Sequence, residues 1–393
     1  MSKLKIIVTG MIGQYPLGGV SWDYIQYAAG LKLLGHDVYY IEDTGQYPFN
    51  PLEGGIAKEC DFNVRYLKEV MGRFGMEERW AYHFPWKSQW YGLADNKREE
   101  VICSADILIN VSGSLAYPEK YRHIPCLVYI DSDPVFTQAK LARGQIDFQR
   151  MIEMHDVHFS FGEHMSGAVP ETAFDWRPTR QPVVLGEWRQ GGPVHNVYTT
   201  VMNWTSYKPL KYRGTTYAQK DVEFERFMDL PGMVPEVSLE IAVNTGKTRR
   251  TPRGLLESKG WHVVHPDQVC PDLDAYRSYI VSSRAEWSVA KNGYVVGQSG
   301  WFSCRSACYL AAGRPVVVQD TGFSGVLPTG TGIVTFSTLQ EAIDGIRDVE
   351  SRYDIHCRAA REIAEQYFDS SRVLANLLEE SMASTAGKKA RAI

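Results

Sequence analysis

GWFSCRSACYLAAGRPVVVQDTGF, residues 300–323, runs in the order small-residue loop, helix, apolar strand, glycine-containing turn. Ser303, Arg305 and Ser306 stand where the helix starts, so unpaired backbone N–H groups, two hydroxyls and a guanidinium are set to converge on one anion. Residues 307–312 are small and apolar, which lets the helix lie close to a sheet. Gly313 stops it, and Arg314-Pro315 leads into Val316-Val317-Val318. Asp320, Thr321, Gly322 and Phe323 fall just past the carboxyl end of that strand, where open α/β sheets bind ligands. A phosphate-bearing ligand is the simplest occupant.

Outward from this unit, the rest of the chain alternates in the same way. Residues 5–9 form a buried-type strand, GMIGQYPLGGVS a loop, 22–34 a helix ended by Gly35-His36-Asp37, and 38–41 the next strand. Such a β-loop-α-β unit implies a parallel sheet. A helix over 65–74, an aromatic stretch holding Trp80, His83, Trp86 and Trp90, and strands over 105–111, 126–130 and 157–161 complete a first half. A Pro/Gly/Arg/Trp-rich segment, 175–193, leads to a second half. Its strands fall at 197–202, 239–243, 261–264 and 287–290, with closing helices over 339–349 and 355–380. The expected architecture is α/β, with two Rossmann-like doubly wound domains facing across a cleft. Residues 1–190 and 191–383 make the domains, the final helix crosses back, and 384–393 form a disordered basic tail.

With 393 residues, 44% hydrophobic and 22% charged, the chain is long enough for two cores and ordinary in composition. A net charge of -4 and a pI near 6.2 exert no general pull toward nucleic acid or membrane. The 10 Trp and 22 Tyr offer rings on which sugars and bases stack, although core placement uses many such rings in any globular protein. The seven cysteines show no CxxC pair and no zinc spacing; Cys304 and Cys308 share a helix face without partner ligands. The set fits reduced thiols. With no secretory segment and no apolar stretch of transmembrane length, a cytoplasmic protein is expected.

Several residues outside the opening unit have two roles open to them. The loop 10–19 lacks G-x-G-x-x-G and a clear acidic partner, which weighs against a dehydrogenase. Gly18 and Gly19 let backbone approach a phosphate or sugar, or simply turn the chain into the helix. Asp23, in what reads as the first helical turn, suits either the helix dipole or a general base. Asp131 and Asp133, before Pro134, form an Asx turn or orient an acceptor hydroxyl. Glu163 and His164 follow another strand end, as Asn203 and Trp204 do. Lys291 neutralises a diphosphate or faces solvent. The run 247–253, KTRRTPR, is a solvated loop or a contact for a polyanion, and no nucleic-acid motif accompanies it.

Three segments carry a resemblance. PLGGVSWDYIQYAAGLKLLGHDVYYIED (16–43), YLAAGRPVVVQDTG (309–322) and CRAAREIAEQYFDSSRV (357–373) resemble the GG-helix-GHEV segment, the EAMACGxPVV segment and the closing helix of bacterial "group 1" retaining glycosyltransferases. Those enzymes have the two-Rossmann fold called GT-B. Their paired glutamates, eight apart, fall here on Gly300 and Cys308, so neither retaining stereochemistry nor their grip on the ribose carries over.

The resemblance implies a nucleoside diphosphate sugar, UDP-sugar as first choice, held by the second half. Ser303, Arg305, Ser306 and Lys291 would meet the diphosphate; Gly18, Gly19, Asn203 and Trp204 would be further donor contacts. Asp320, Thr321, Gly322 and Phe323 would border the sugar. The acceptor would lie over the aromatic stretch, with Trp86, Trp90 and Glu163, and Asp23 is the first choice of base ahead of Asp131 and Asp133. No cofactor and no metal are expected, because helix N-termini and basic side chains stabilise a leaving diphosphate. The Asp131-Ser132-Asp133 spelling of a metal loop is discounted, since it lies in the first half. A DNA-modifying glycosyltransferase, a same-fold nucleotide-sugar epimerase and a non-catalytic binder are the alternatives.

Overall fold

The structure is a computed structural model that describes residues 2–165, 167–189, 195–246 and 248–391, with side chains through residue 385. Residues 190–193 of the expected linker, the adjoining residue 194, Lys247 of the basic run and residues 392–393 of the expected tail lie outside the described residues.

The first half is built on β1 (Lys5–Thr9), β2 (Asp37–Glu42), β3 (Trp80–Phe84), β4 (Gln89–Gly92), β5 (Ile107–Val111), β6 (Leu127–Asp131), β7 (Val157–Ser160) and β8 (Trp176–Pro178). Their order in the sheet is β8-β7-β6-β5-β1-β2-β3-β4. All neighbours are parallel except the β3–β4 hairpin at the edge. The second half holds β9 (Val197–Met202), β10 (Ser238–Val243), β11 (His262–Val264), β12 (Ala285–Ser288), β13 (Val316–Gln319) and β14 (Ile333–Phe336). These run parallel in the order β11-β10-β9-β12-β13-β14. Each half starts mid-sheet and changes winding direction between β1 and β5, or between β9 and β12. Such switch points open a crevice at the carboxyl ends of the strands. The central strands are continuous apolar runs because helices cover both faces: Ile6, Ile7 and Val8 are all fully buried.

Some elements differ from the sequence expectation. The first helix begins at Gly18, not residue 22, because Leu17 is the extended cap residue. β8 adds a strand too short to show periodicity. The expected single helix over 355–380 is two, Tyr353–Ile363 and Ser370–Arg391, separated by a π turn at Ala364–Phe368. Asp369 leaves helical geometry there and bridges to Val183. The last helix runs through Arg391, into the stretch assigned to a disordered tail. It packs on the Gly18–Leu33 helix, where a side chain at Gly30 would begin 2.6 Å from Leu374. One apolar cluster therefore extends from the first sheet through Trp22 to Tyr276, Leu310 and Leu374. None of the seven cysteines is in a disulfide among the described residues. No helix among the described residues is long and apolar enough to cross a membrane.

Candidate functional site

The helix Cys304–Ala311 starts at the carboxyl ends of β12 and β13. Ser303 caps it with extended backbone and without a side-chain cap bond, and the first intrahelical bond is Ala307 N–H to Ser303 O at 3.1 Å. The N–H groups of the first turn thus point out of the helix. A cavity of about 20 Å³ opens there, lined by Ser288, Ser303, Arg305, Ser306, Gln319 and Phe323, among others. Four residues singled out in the sequence, Ser303, Arg305, Ser306 and Phe323, do border one space. That space holds about one water, whereas small-ligand sites run to several hundred Å³.

Arg305 is anchored to protein. Its Nε and Nη2 reach Glu286 Oε1 at 2.8 and 2.7 Å, and Nη1 donates to Val201 O at 2.6 Å. Glu286 is fully buried, and its Oε2 has no hydrogen-bond partner among the described residues. A guanidinium carries five N–H bonds, so two remain for a ligand. Beside it stands Lys220, which the sequence reading missed. Lys220 opens the short helix Lys220–Phe224, and its ammonium makes no hydrogen bond or ion pair among the described residues. Burial pushes its ammonium well below the ordinary lysine value; Arg305 and Lys291 add to the effect and Glu286 opposes it. A half-buried lysine beside two cations is relieved by an anion. Nothing in Ala218-Gln219-Lys220-Asp221 signals this, because the neighbours Arg305, Lys291 and Glu286 come from distant parts of the chain.

Asp23 lies in the second turn of its helix, whose first turn holds no acid, so the dipole role falls away. Its carboxyl sits against the Cys304 thiol and near Arg305. Burial pushes it up to about 7, with Arg305 partly offsetting the shift. A carboxyl titrating there is matched to base catalysis near neutrality. It does not line the small cavity. Gly18 and Gly19 meet protein, not an open cleft. A side chain at Gly18 would begin 2.1 Å from Asp272 O, and one at Gly19 would begin 3.1 Å from the Tyr276 ring. The pair lets the first helix touch the Leu273–Ser282 helix of the second half, where Trp22 Nε1 also donates to Leu273 O at 2.8 Å. Glu42, also overlooked in the sequence, is fully buried at the end of β2, where dinucleotide folds keep an acid for the ribose. Here it accepts from Gly13 N at 2.9 Å, from Gln14 N, and from Tyr40 OH at 2.8 Å. Burial lifts it to about 7. This acid braces its own loop.

Asp131 is a structural acceptor. It takes hydrogen bonds from Thr137 Oγ1 (2.7 Å), Gln138 Nε2 (3.0 Å), Ser160 Oγ (3.0 Å) and Asp133 N (3.1 Å), which fill its lone pairs. Asp133 reaches across to the second half and binds Lys291 Nζ at 2.8 Å, Tyr207 OH at 2.6 Å and Tyr294 OH. Burial would raise Asp133, but Lys291 and the two phenols outweigh it and hold the carboxyl below its usual value. Lys291 is therefore neutralised by Asp133, neither facing solvent nor free for a diphosphate. Glu163 pairs with Arg180, whose guanidinium lies 5.5 Å from the Tyr367 ring. Next to it, His164 N donates to Ser299 O at 2.8 Å. Gly300, at φ 80°, leaves no room for a side chain, since a Cβ there would begin 2.8 Å from His164 N. A glutamate cannot occupy this position.

The loop after β13 mostly serves itself. Asp320 accepts from Gly322 N at 2.9 Å and Ser324 Oγ at 2.6 Å, and Thr321 donates to Trp301 O. Gly322, at φ 92°, closes against Gln298 O. Phe323 packs edge-on to Phe302 at 5.0 Å. Trp204 is a core residue, fully buried and 5.3 Å from Phe224, and not a donor contact; exposed Asn203 accepts from Asn244. Trp86, 57% exposed, lies beside Tyr47 at the turn of the β3–β4 hairpin. Trp90 stacks on His83 at 4.7 Å and beneath Arg98. Both tryptophans are at the outer edge of the first sheet, away from the Arg305 cluster on the second. In the basic run, Arg249 pairs with Asp221 and Glu225, and Arg253 with Glu257.

No protein-family model and no curated protein matches the chain. Solved structures do resemble it in fold. An alpha-glucosyltransferase in complex with UDP and a 13-mer DNA is 13% identical, with a TM-score of 0.59, over 97% of this chain and 100% of that one. Anabaena HepE in complex with UDP and glucose is 12% identical, with a TM-score of 0.55, over 96% and 100%. Sucrose-phosphate synthase from Thermosynechococcus elongatus is 11% identical, with a TM-score of 0.52, over 96% and 99%. The chain shares the GT-B fold with them along nearly its whole length.

Proposed function

We propose that the protein is a glycosyltransferase that moves a sugar from a nucleoside diphosphate sugar, UDP-sugar first, to an acceptor hydroxyl. The observation that carries this is Lys220, a half-buried cation with no ion-pair partner among the described residues, beside Arg305 and the first turn of the Cys304–Ala311 helix at the switch point of the second sheet. In this mechanism the bond between the anomeric carbon and the diphosphate oxygen breaks. Lys220, the two remaining Arg305 N–H bonds and the helix N–H groups take up the negative charge on the leaving diphosphate. These groups make a metal unnecessary in the proposal. The acceptor oxygen bonds to the anomeric carbon, and in an inverting reaction its proton passes to Asp23. Cysteines without a disulfide among the described residues fit a reducing cytoplasm.

Binding of UDP, GDP, ADP, TDP and their sugars, followed by melting temperature, tests this. One nucleotide should stabilise the parent and lose most of that effect with Lys220→Ala. No shift with any of them would sink the proposal.

A second reading, DNA as acceptor, is favoured by the similar alpha-glucosyltransferase solved with DNA. Against it, Arg249 and Arg253 already have acidic partners. Duplex binding that falls steeply with salt would support DNA; binding that is weak and flat would remove it.

A further inference from the structure

The loop after β6 is built into the second half at successive positions. Trp301 Nε1 donates to Ser132 O at 3.2 Å. Asp133 receives Lys291, Tyr207 and Tyr294, and Lys291 Nζ also lies 3.1 Å from Tyr207 OH. Val135 is fully buried against Gly297, where an added Cβ would begin 2.5 Å from its side chain. Phe136 fills the same kind of gap at Gly293, 2.4 Å from an added Cβ. Val135 has φ 70° and ψ -53°, a conformation that costs a β-branched residue and persists only when surrounding contacts impose it. Two glycines, an ion pair and two phenols do so here.

This closure has a consequence for ligand entry. The cavity at Arg305 is about 20 Å³, far below the volume of a nucleotide sugar. The Asp133 carboxylate also occupies Lys291, one of the two cations that act on Lys220. We propose that residues 132–136 form an autoinhibitory latch. The Asp133 carboxylate sits in an anion seat made by Lys291, Tyr207 and Tyr294, and binding of an external anion there excludes closure. That the natural displacing anion is the donor's diphosphate rests on the function proposed above; the latch does not.

Hydrogen exchange of the Asn292–Gly297 amides and binding of inorganic pyrophosphate test the latch on full-length protein. Asp133→Asn should speed that exchange about tenfold or more and tighten pyrophosphate binding by a similar factor. Exchange equal to the parent's would overturn the latch. Weaker pyrophosphate binding in the variant would also overturn it, by making Asp133 part of the ligand site. Tyr207→Phe removes one hydroxyl and keeps the ion pair, so it should move both readouts in the same direction by less. Should Asp133→Asn not fold, an unchanged Tyr207→Phe overturns the latch by itself. Faster exchange with tighter pyrophosphate but no UDP binding would support the latch and refute the donor assignment.

Discussion

Arg305→Met isolates the contact on which the proposed donor end of the second half is built. Glu286 is fully buried and receives Arg305 twice on Oε1, at 2.7 and 2.8 Å, while Oε2 has no partner among the described residues. Removing the guanidinium leaves a buried carboxylate without compensation, which costs about 3–5 kcal/mol. The freed Val201 carbonyl adds about 1 kcal/mol. The expected loss is about 4–6 kcal/mol. Glu286→Gln alone should cost about 3 kcal/mol, since it strands Arg305 near Lys220. The double variant restores neutrality, so its deficit should fall short of the sum by about 2–3 kcal/mol. Urea unfolding followed by tryptophan fluorescence reads this, because Trp287 is adjacent to Glu286 and buried. Single variants within about 1 kcal/mol of the parent, or an additive double variant, would refute the argument. If the cycle behaves as expected, lost nucleotide binding in Arg305→Ala reports a damaged fold as much as a lost ligand contact. Lys220 is the cleaner test of the proposed donor site.

Three more outcomes follow from the same geometry. Folded Asp23 keeps its proton up to about 7, while the unfolded chain releases it near 3.8. Its ionisation therefore lowers stability progressively between those values, and Asp23→Asn should stabilise by a few kcal/mol at pH 8 and hardly at all near pH 4; a pH-independent difference would contradict this. Lys220 is depressed below its ordinary 10.5, so stability should rise as pH climbs from that depressed titration toward 10.5. Lys220→Met should abolish the rise in unfolding free energy, and a rise that survives would place the titration elsewhere. Gly300→Ala forces a Cβ into the His164 backbone at φ 80° and should lower stability by about 1–3 kcal/mol in a thermal melt; tolerance of alanine would mean the two loops are not in contact.

The alternating strands and helices, the Ser303–Arg305 helix start and the doubly wound α/β class were legible in the sequence. Buried parallel strands are continuous apolar runs, and a helix ends where Gly313 and Pro315 leave the chain no alternative. These are local signals, complete within about a dozen residues. What each charged group does was not legible. Asp131 and Asp133 look alike in sequence, yet one accepts four bonds inside its own half and the other reaches Lys291, 158 positions away. Gly18-Gly19 resembles a phosphate loop until the Asp272 carbonyl is seen against it. Lys220 has no mark in its own segment, and its importance comes from Arg305, Glu286 and Lys291 brought beside it. The chain by itself determined which backbone forms which element, because that depends on near neighbours. Only the tertiary structure decided which charges are spent on holding the fold and which remain for a ligand, because desolvation and pairing depend on groups far away in sequence.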